Sequence, residues 1–342
     1  RSRGPSVKLS KPAGGLIGLG MVALAGVSAV KVAGTRIRHH HDPELDALFA
    51  SAGELAHHHL PTADGGELHV VEAGAGRPVV LLHGVTLQWW VWSALISLLR
   101  DRYRVVAWDM RGHGESRAGS DGVSLEATAS DLAMLLRELD LDDAILVGHS
   151  MGGMTLGHFV GRHSDELAAR VSALCFVATS GCATDKSFSR GNLKTLYGLA
   201  GRALLAGLRR PSPRYPWHDK DLSAVLLRTA FGPSATADMI DAVRRMSADM
   251  ATASMIEAGN ALAAHDVRQV LPVVDMPTTV VVGDADRITP PGHARELAEL
   301  IPGATLVELE GVGHQIMQES PVALAGIIDD LDGRAPSLVP VA

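Results

Sequence analysis

Ser150 lies between glycines in Gly148-His149-Ser150-Met151-Gly152, after the apolar run Ala144-Ile145-Leu146-Val147 and before a segment with the composition of a helix. A strand turning abruptly into a helix would strain the backbone at Ser150 and lift its hydroxyl clear of the sheet. Glycines at 148 and 152 would let neighbouring backbone approach that turn. The turn also aims the first free N–H groups of the helix, with its partial positive end, at whatever bonds to the serine. The chemistry this allows is nucleophilic attack, provided an imidazole takes the serine proton. His314, in Gly311-Val312-Gly313-His314 after the run Thr305-Leu306-Val307-Glu308-Leu309, is the candidate base. Its tautomer needs a carboxylate to fix it, and Val280-Val281-Val282 leads into Gly283-Asp284-Ala285-Asp286, which offers two. The order Ser, Asp, His suits a strand-turn-helix nucleophile and is not either of the two common serine-protease orders.

The elements that must position these groups follow from hydrophobic pattern. Residues 60–71 hold Asp64-Gly65-Gly66 between two extended runs and read as a hairpin. Strands follow at 78–82, 103–108, 144–147 and 173–178, with helices near 90–99 and 125–139. Strands alternating with helices predict an α/β fold, with a mostly parallel central sheet flanked by helices on both faces. Ligands in such sheets sit beyond the carboxyl ends of the strands, where Ser150, Asp286 and His314 all fall. Between Gly181 and Met276 the alternation breaks and helix-like segments dominate, so this stretch reads as an inserted helical cap or lid. It starts with a polar stretch at 184–192 and passes the breaker cluster Arg210-Pro211-Ser212-Pro213-Arg214-Tyr215-Pro216. Met239, Met246, Met250 and Met255 recur along it at helical spacings and read as core filling, with a pocket for a flexible apolar acyl chain as the rival reading. The resulting division is 1–41, a basic and apolar amino-terminal segment; 42–180, the first part of the core; 181–276, the cap; 277–332, the second part of the core; and 333–342, a tail.

Over roughly residues 60–332 the chain resembles the α/β-hydrolase fold family, in its serine esterase and lipase-like branch. Four segments carry the resemblance in collinear order: Leu81-Leu82-His83-Gly84, Asp109-Met110-Arg111-Gly112-His113-Gly114-Glu115-Ser116, the serine elbow, and Gly311-Val312-Gly313-His314. The spacing Gly283-x-x-Asp286 matches the family's acid position and selects Asp286 over Asp284. The resemblance further implies that the backbone N–H groups of Val85 and Met151 form an oxyanion hole and that Trp92 packs into the fold, leaving Trp89 and Trp90 as candidate pocket walls. One residue departs from the pattern: Thr86 stands where many relatives have proline. His83, His113, Asp109 and Ser116 read as structural, His149 as facing away from substrate, and Arg111 as a turn residue able to reach a substrate carboxylate.

The expected activity is hydrolysis of a small carboxylic ester with an apolar part, through an acyl-enzyme. Alternatives on the same three residues are a cofactor-free haloperoxidase or perhydrolase, a carbon–carbon bond hydrolase, an amidase and an acyltransferase. Another class of reading is a non-catalytic binding protein on a hydrolase fold. Epoxide hydrolase and dehalogenase relatives use an aspartate at the elbow, which Ser150 counts against.

Composition agrees with this class. The 342 residues, 46% of them hydrophobic, suffice for one large core, and a net charge of -7 without a basic block argues against nucleic acid as partner. Two cysteines, Cys175 and Cys182, indicate no disulfide framework. Residues 14–30 are apolar and rich in Gly and Ala, with Arg1, Arg3, Lys8 and Lys11 before them and Lys31, Arg36 and Arg38 after. This stretch reads as a membrane anchor or export signal, placing the protein at the cell envelope, with a cytoplasmic helix as the alternative. The histidine runs 39–41 and 57–59 lack a Cys partner or an i,i+4 pair, and adjacent histidines cannot all face one ion. The expectation is therefore no metal, and the proposed chemistry needs no cofactor.

Overall fold

Val79, Val80, Leu81 and Leu82 are all fully buried, as a strand covered on both faces must be, and their alternation feeds two separate cores. The computed structural model describes residues 34–35, 37, 39–50, 52–183 and 220–336. It builds one eight-stranded sheet from β1 (Ala56–Pro61), β2 (Glu67–Ala73), β3 (Arg77–Leu82), β4 (Tyr103–Trp108), β5 (Ala144–His149), β6 (Val171–Val177), β7 (Thr278–Gly283) and β8 (Thr305–Leu309). The order across the sheet is β1-β2-β4-β3-β5-β6-β7-β8. The β1/β2 and β2/β4 pairs are antiparallel and every later pair is parallel. The hairpin begins at Ala56 rather than at residue 60, so His57, His58 and His59 lie within β1.

Helices cover both faces. Val80, Leu82, Leu146 and Phe176 pack into a core with α3 (Leu125–Glu138), α4 (Met151–Arg162) and α9 (Pro291–Leu300). Val79, Leu81, Val147 and Cys175 pack into the other, with α2 (Ser93–Leu99) and α11 (Pro321–Asp332). α3 starts where the Ser124 side chain accepts the Ala127 N–H, an N-cap that satisfies one of the orphan donors of the first turn. Shorter elements complete the chain order: α1 (Pro43–Ala50), a 3₁₀ turn at Trp89–Trp92, α5 (Ser164–Arg170) and α10 (Ile316–Glu319).

The described part of the predicted cap is helical: α6 (Lys220–Leu227), α7 (Ala237–Asp249) and α8 (Thr252–Ala264), with 3₁₀ turns at Arg228–Ala230 and Leu271–Val273. Met239, Met246 and Met250 are buried in the cores and Met255 packs against one of them, so these side chains fill space under the helices. The polar start of the cap, its breaker cluster, the tail from 337 and the apolar stretch 14–30 lie outside the described residues. Among the described residues no helix is long and apolar enough to cross a membrane.

Candidate active site

At the carboxyl end of β5 the chain turns straight into α4, and Ser150 takes up the turn with φ 51° and ψ −113°. A non-glycine residue at positive φ is strained and survives only where its surroundings fix it. Here the Ser150 N–H donates to the Val177 carbonyl at 3.0 Å, and its carbonyl accepts from the Thr179 hydroxyl at 2.7 Å and the Met154 N–H at 3.0 Å. The neighbouring glycines are required by contact. A Cβ at Gly148 would lie 2.6 Å from the Gly152 carbonyl oxygen, one at Gly152 would collide with the Leu82 carbonyl, and one at Gly84 would lie 3.2 Å from Ser150 Cβ.

His314 and Asp286 meet at the ends of β8 and β7. His314 Nδ1 donates to Asp286 Oδ2 at 2.8 Å, and both residues are buried. Asp286 is held in turn by the Ile288 and Thr289 N–H groups on Oδ1, at 2.8 and 3.0 Å, and by the Thr289 hydroxyl on Oδ2 at 2.8 Å. Asp284, the other candidate, is exposed and accepts the Gly311 N–H at 2.7 Å, so it closes the loop that carries His314. The bond to His314 belongs to Asp286.

The loop after β3 runs close to Ser150. Among the described residues neither the Val85 nor the Met151 N–H has a hydrogen-bond acceptor, and Met151 is the first residue of α4. Thr86 has φ 63°, a conformation closed to proline, whose ring holds φ near −65°; the departure from the family pattern therefore has a backbone cause. The Thr86 hydroxyl oxygen accepts from Ser247 Oγ at 3.0 Å, and the Gln88 N–H meets Met246 Sδ at 3.2 Å, so α7 docks directly on this loop.

The supporting residues named from the sequence have the following places. Arg111 does not reach toward a substrate: its guanidinium is buried, binds both oxygens of Asp131 at 2.6 and 2.7 Å, and reaches Asp64 and the Gly122 carbonyl at 3.0 Å. Four of its five N–H donors are so occupied and the group is buried against two carboxylates, which corrects the expectation that it could reach a substrate carboxylate. Trp92 is fully buried. The Trp89 ring lies edge-on to His57, 6.2 Å away, and the Trp90 ring is covered by the Arg245 guanidinium at 5.2 Å with its N–H on Gln88 at 2.7 Å. Neither ring makes these contacts with Ser150, Asp286 or His314. His83 donates Nδ1–H to the Gly84 carbonyl and accepts the Met110 N–H on Nε2, and burial lowers its pKa. Asp109 accepts the N–H groups of Trp89 and Glu115, tying the loop after β3 to the turn after β4.

Thr289 and Glu319 escaped sequence reasoning, as did the contact that His149 makes with His314. Thr289 supports Asp286 as described. His149 donates Nε2–H to the His314 carbonyl at 2.9 Å with its ring 4.8 Å from that of His314, and burial holds its pKa well below the ordinary imidazole value. Glu319 accepts the N–H groups of Gly232, Gly313 and Gln315, pinning the His314 loop to the cap; burial pushes its carboxyl pKa up while those donors pull it back. Gly313 and Gln315 are 6 and 4 residues away from Glu319, and the partner that only folding supplies is Gly232, 87 residues away.

A strand-turn-helix serine, a buried imidazole–carboxylate pair and a parallel sheet with cap helices define the hydrolase class of α/β protein. Residues 77–321 match the family model described as the alpha/beta hydrolase fold, and the chain belongs to that family. It is 32% identical over 257 residues to a non-heme chloroperoxidase of Kitasatospora aureofaciens, a match covering 75% of this chain and 91% of that protein. A thermophilic esterase of Thermogutta terrifontis superposes with a TM-score of 0.66 at 26% identity, covering 81% of this chain and 97% of the other. An esterase of Exiguobacterium antarcticum superposes with a TM-score of 0.69 at 23% identity, covering 80% and 98%, a likeness of fold.

Proposed function

We propose that this protein is a serine hydrolase that cleaves small carboxylic esters with an apolar part. The observation that carries the reading is the buried 2.8 Å bond from His314 to Asp286 at the same sheet edge as the strained Ser150. In this reading His314 Nε2 takes the Ser150 proton as Oγ attacks the ester carbonyl, and the N–H groups of Val85 and Met151 hold the developing oxyanion. His314 then gives the proton to the leaving alkoxide. Asp286 keeps Nδ1 protonated and stabilises the imidazolium, and water, activated by the same imidazole, releases the acid. The likeness to esterases in fold and family supports the ester assignment.

A second reading is favoured by the 32% identical chloroperoxidase: interception of the same acyl-enzyme by hydrogen peroxide, giving a peracid in place of the acid. One experiment addresses both. Fluorophosphonate labelling and p-nitrophenyl acetate turnover are lost in Ser150→Ala while the circular dichroism spectrum is retained; undiminished turnover by that variant overturns the assignment. Peracid formation from acetate and peroxide by the unmodified protein, faster than ester hydrolysis, would move the activity to the second reading.

A further inference from the structure

The histidine run at 57–59 acquires partners that only folding supplies. His57 and His59 are two residues apart on β1 and therefore share one face, with His59 directly across from His69 on β2. The His69 ring lies 5.2 Å from both rings, and its Nε2 is 2.9 Å from His57 Nδ1. Glu115, from the turn after β4, completes the group: one ligand atom each of His59, His69 and Glu115 lie within 4.8 Å of one another. His59 also has Glu67 alongside, at 3.9 Å.

The buried Asp109 prepares this cluster from behind. Its Oδ2 accepts His69 Nδ1–H at 3.0 Å and the Glu115 N–H at 3.1 Å. The first bond puts the His69 lone pair on Nε2, where it faces the exposed His57 Nδ1 at 2.9 Å and where an ion would replace that contact. This is the carboxylate–histidine arrangement that orients imidazole ligands, and the second bond anchors the segment that presents Glu115. His59 and Glu115 are exposed, so their side chains have room to close from separations of up to 4.8 Å toward the ~3.3 Å nitrogen spacing implied by a ~2 Å metal–nitrogen bond. We propose that His59, His69 and Glu115 form a binding site for a divalent transition ion of the zinc type on the β1–β2 hairpin, separate from Ser150. Two imidazoles and one carboxylate select such ions over magnesium and calcium, which take oxygen ligands. The site shares Asp109 with the active-site loop, because Asp109 Oδ1 accepts the Trp89 N–H at 2.8 Å.

The test is calorimetric titration of the full chain, stripped with chelator, with Zn²⁺. His59→Ala and Glu115→Gln change exposed side chains; each is expected to weaken one equivalent of Zn²⁺ binding by at least about tenfold. His41→Ala, in the other histidine run, is expected to leave that equivalent intact. The unmodified protein loaded with Co²⁺ should show visible absorption that the His59→Ala variant lacks. Zn²⁺ affinity unchanged in both His59→Ala and Glu115→Gln, or lost instead in His41→Ala, overturns the proposal.

Discussion

Replacing Asp286 by Asn tests the proposed chemistry with almost no change of volume. Asp286 Oδ1 accepts two backbone N–H groups, so an amide must put its oxygen there and its NH₂ where Oδ2 now faces His314 and Thr289. That NH₂ can only donate. Whether it meets His314 Nδ1 directly or acts through the Thr289 hydroxyl 3.2 Å from that nitrogen, Nδ1 becomes an acceptor and the imidazole proton moves to Nε2. An imidazole protonated at Nε2 cannot take the Ser150 proton. The expected loss in kcat is about 10³- to 10⁴-fold, the size seen when a triad histidine is held in the wrong tautomer. That corresponds to about 4–5.5 kcal/mol of transition-state stabilisation. Turnover of p-nitrophenyl acetate measures it, with circular dichroism to confirm the fold. Asp284→Asn is the control: its oxygen still accepts the Gly311 N–H, and the change is expected to stay within about threefold, as for exposed substitutions. A kcat for Asp286→Asn within tenfold of the unmodified protein, or a larger loss in Asp284→Asn, refutes the assignment of the acid.

Three further outcomes follow from the packing. Gly152→Ala drives a methyl into the Leu82 carbonyl and is expected to cost about 3 kcal/mol or more in urea unfolding, since backbone cannot yield as a side chain can. Arg111→Met leaves Asp131 and Asp64 without their cation and should destabilise by about 3–5 kcal/mol, while KM for anionic esters stays unchanged; a KM effect specific to anionic esters would return Arg111 to the substrate site. Acid should unfold the protein early. Burial lowers the pKa of His83 and His149, and holds His113 at about 3 and His265 at about 4, so below about pH 6.5 the unfolded chain binds protons that the folded one refuses. Stability is then lost as pH falls toward about 4, at about 1.4 kcal/mol per pH unit for each such proton, with His69, raised by its bond to Asp109, working in the opposite sense. Urea midpoints at about pH 7.5 and about pH 5 check this; equal midpoints contradict it.

What the sequence discloses is what local chemistry dictates. Gly148, Ser150 and Gly152 are legible because a strand that turns into a helix within one residue admits few alternatives, and the apolar runs 78–82, 103–108 and 144–147 are legible because both of their faces are covered. His314 and its acid are legible as loop residues after strands. Arg111 reads correctly as structural, but its distance from substrate is not legible, because its partners, Asp131 on α3 and Asp64 in the hairpin turn, lie 20 and 47 residues away and no spacing rule joins them. The bonds from Gly232 to Glu319 and from His149 to the His314 carbonyl are illegible for the same reason, spanning 87 and 165 residues. The sequence argument against a metal at 57–59 is that the run has no Cys partner or i,i+4 pair and that adjacent histidines cannot all face one ion. In a strand that argument removes His58 but leaves His57 and His59 together, facing a residue that hairpin register alone supplies.

These long-range bonds converge on one loop. Thr86 at φ 63° is strained, and two elements hold it and its neighbours: α7, with Ser247 on the Thr86 hydroxyl and Met246 and Asp249 on Gln88, and the turn after β4, with Asp109 on the Trp89 N–H. A left-handed β-branched residue returns to an ordinary conformation unless such contacts outweigh its preference. The Val85 N–H, the proposed oxyanion donor, precedes that residue directly. Displacement of α7 by a bulky substrate would therefore release Thr86 and move the donor away from the position Ser150 requires. In this arrangement the cap acts on rate as well as on fit, and substitutions at Ser247 that remove its bond to Thr86 would lower kcat before they changed which ester binds.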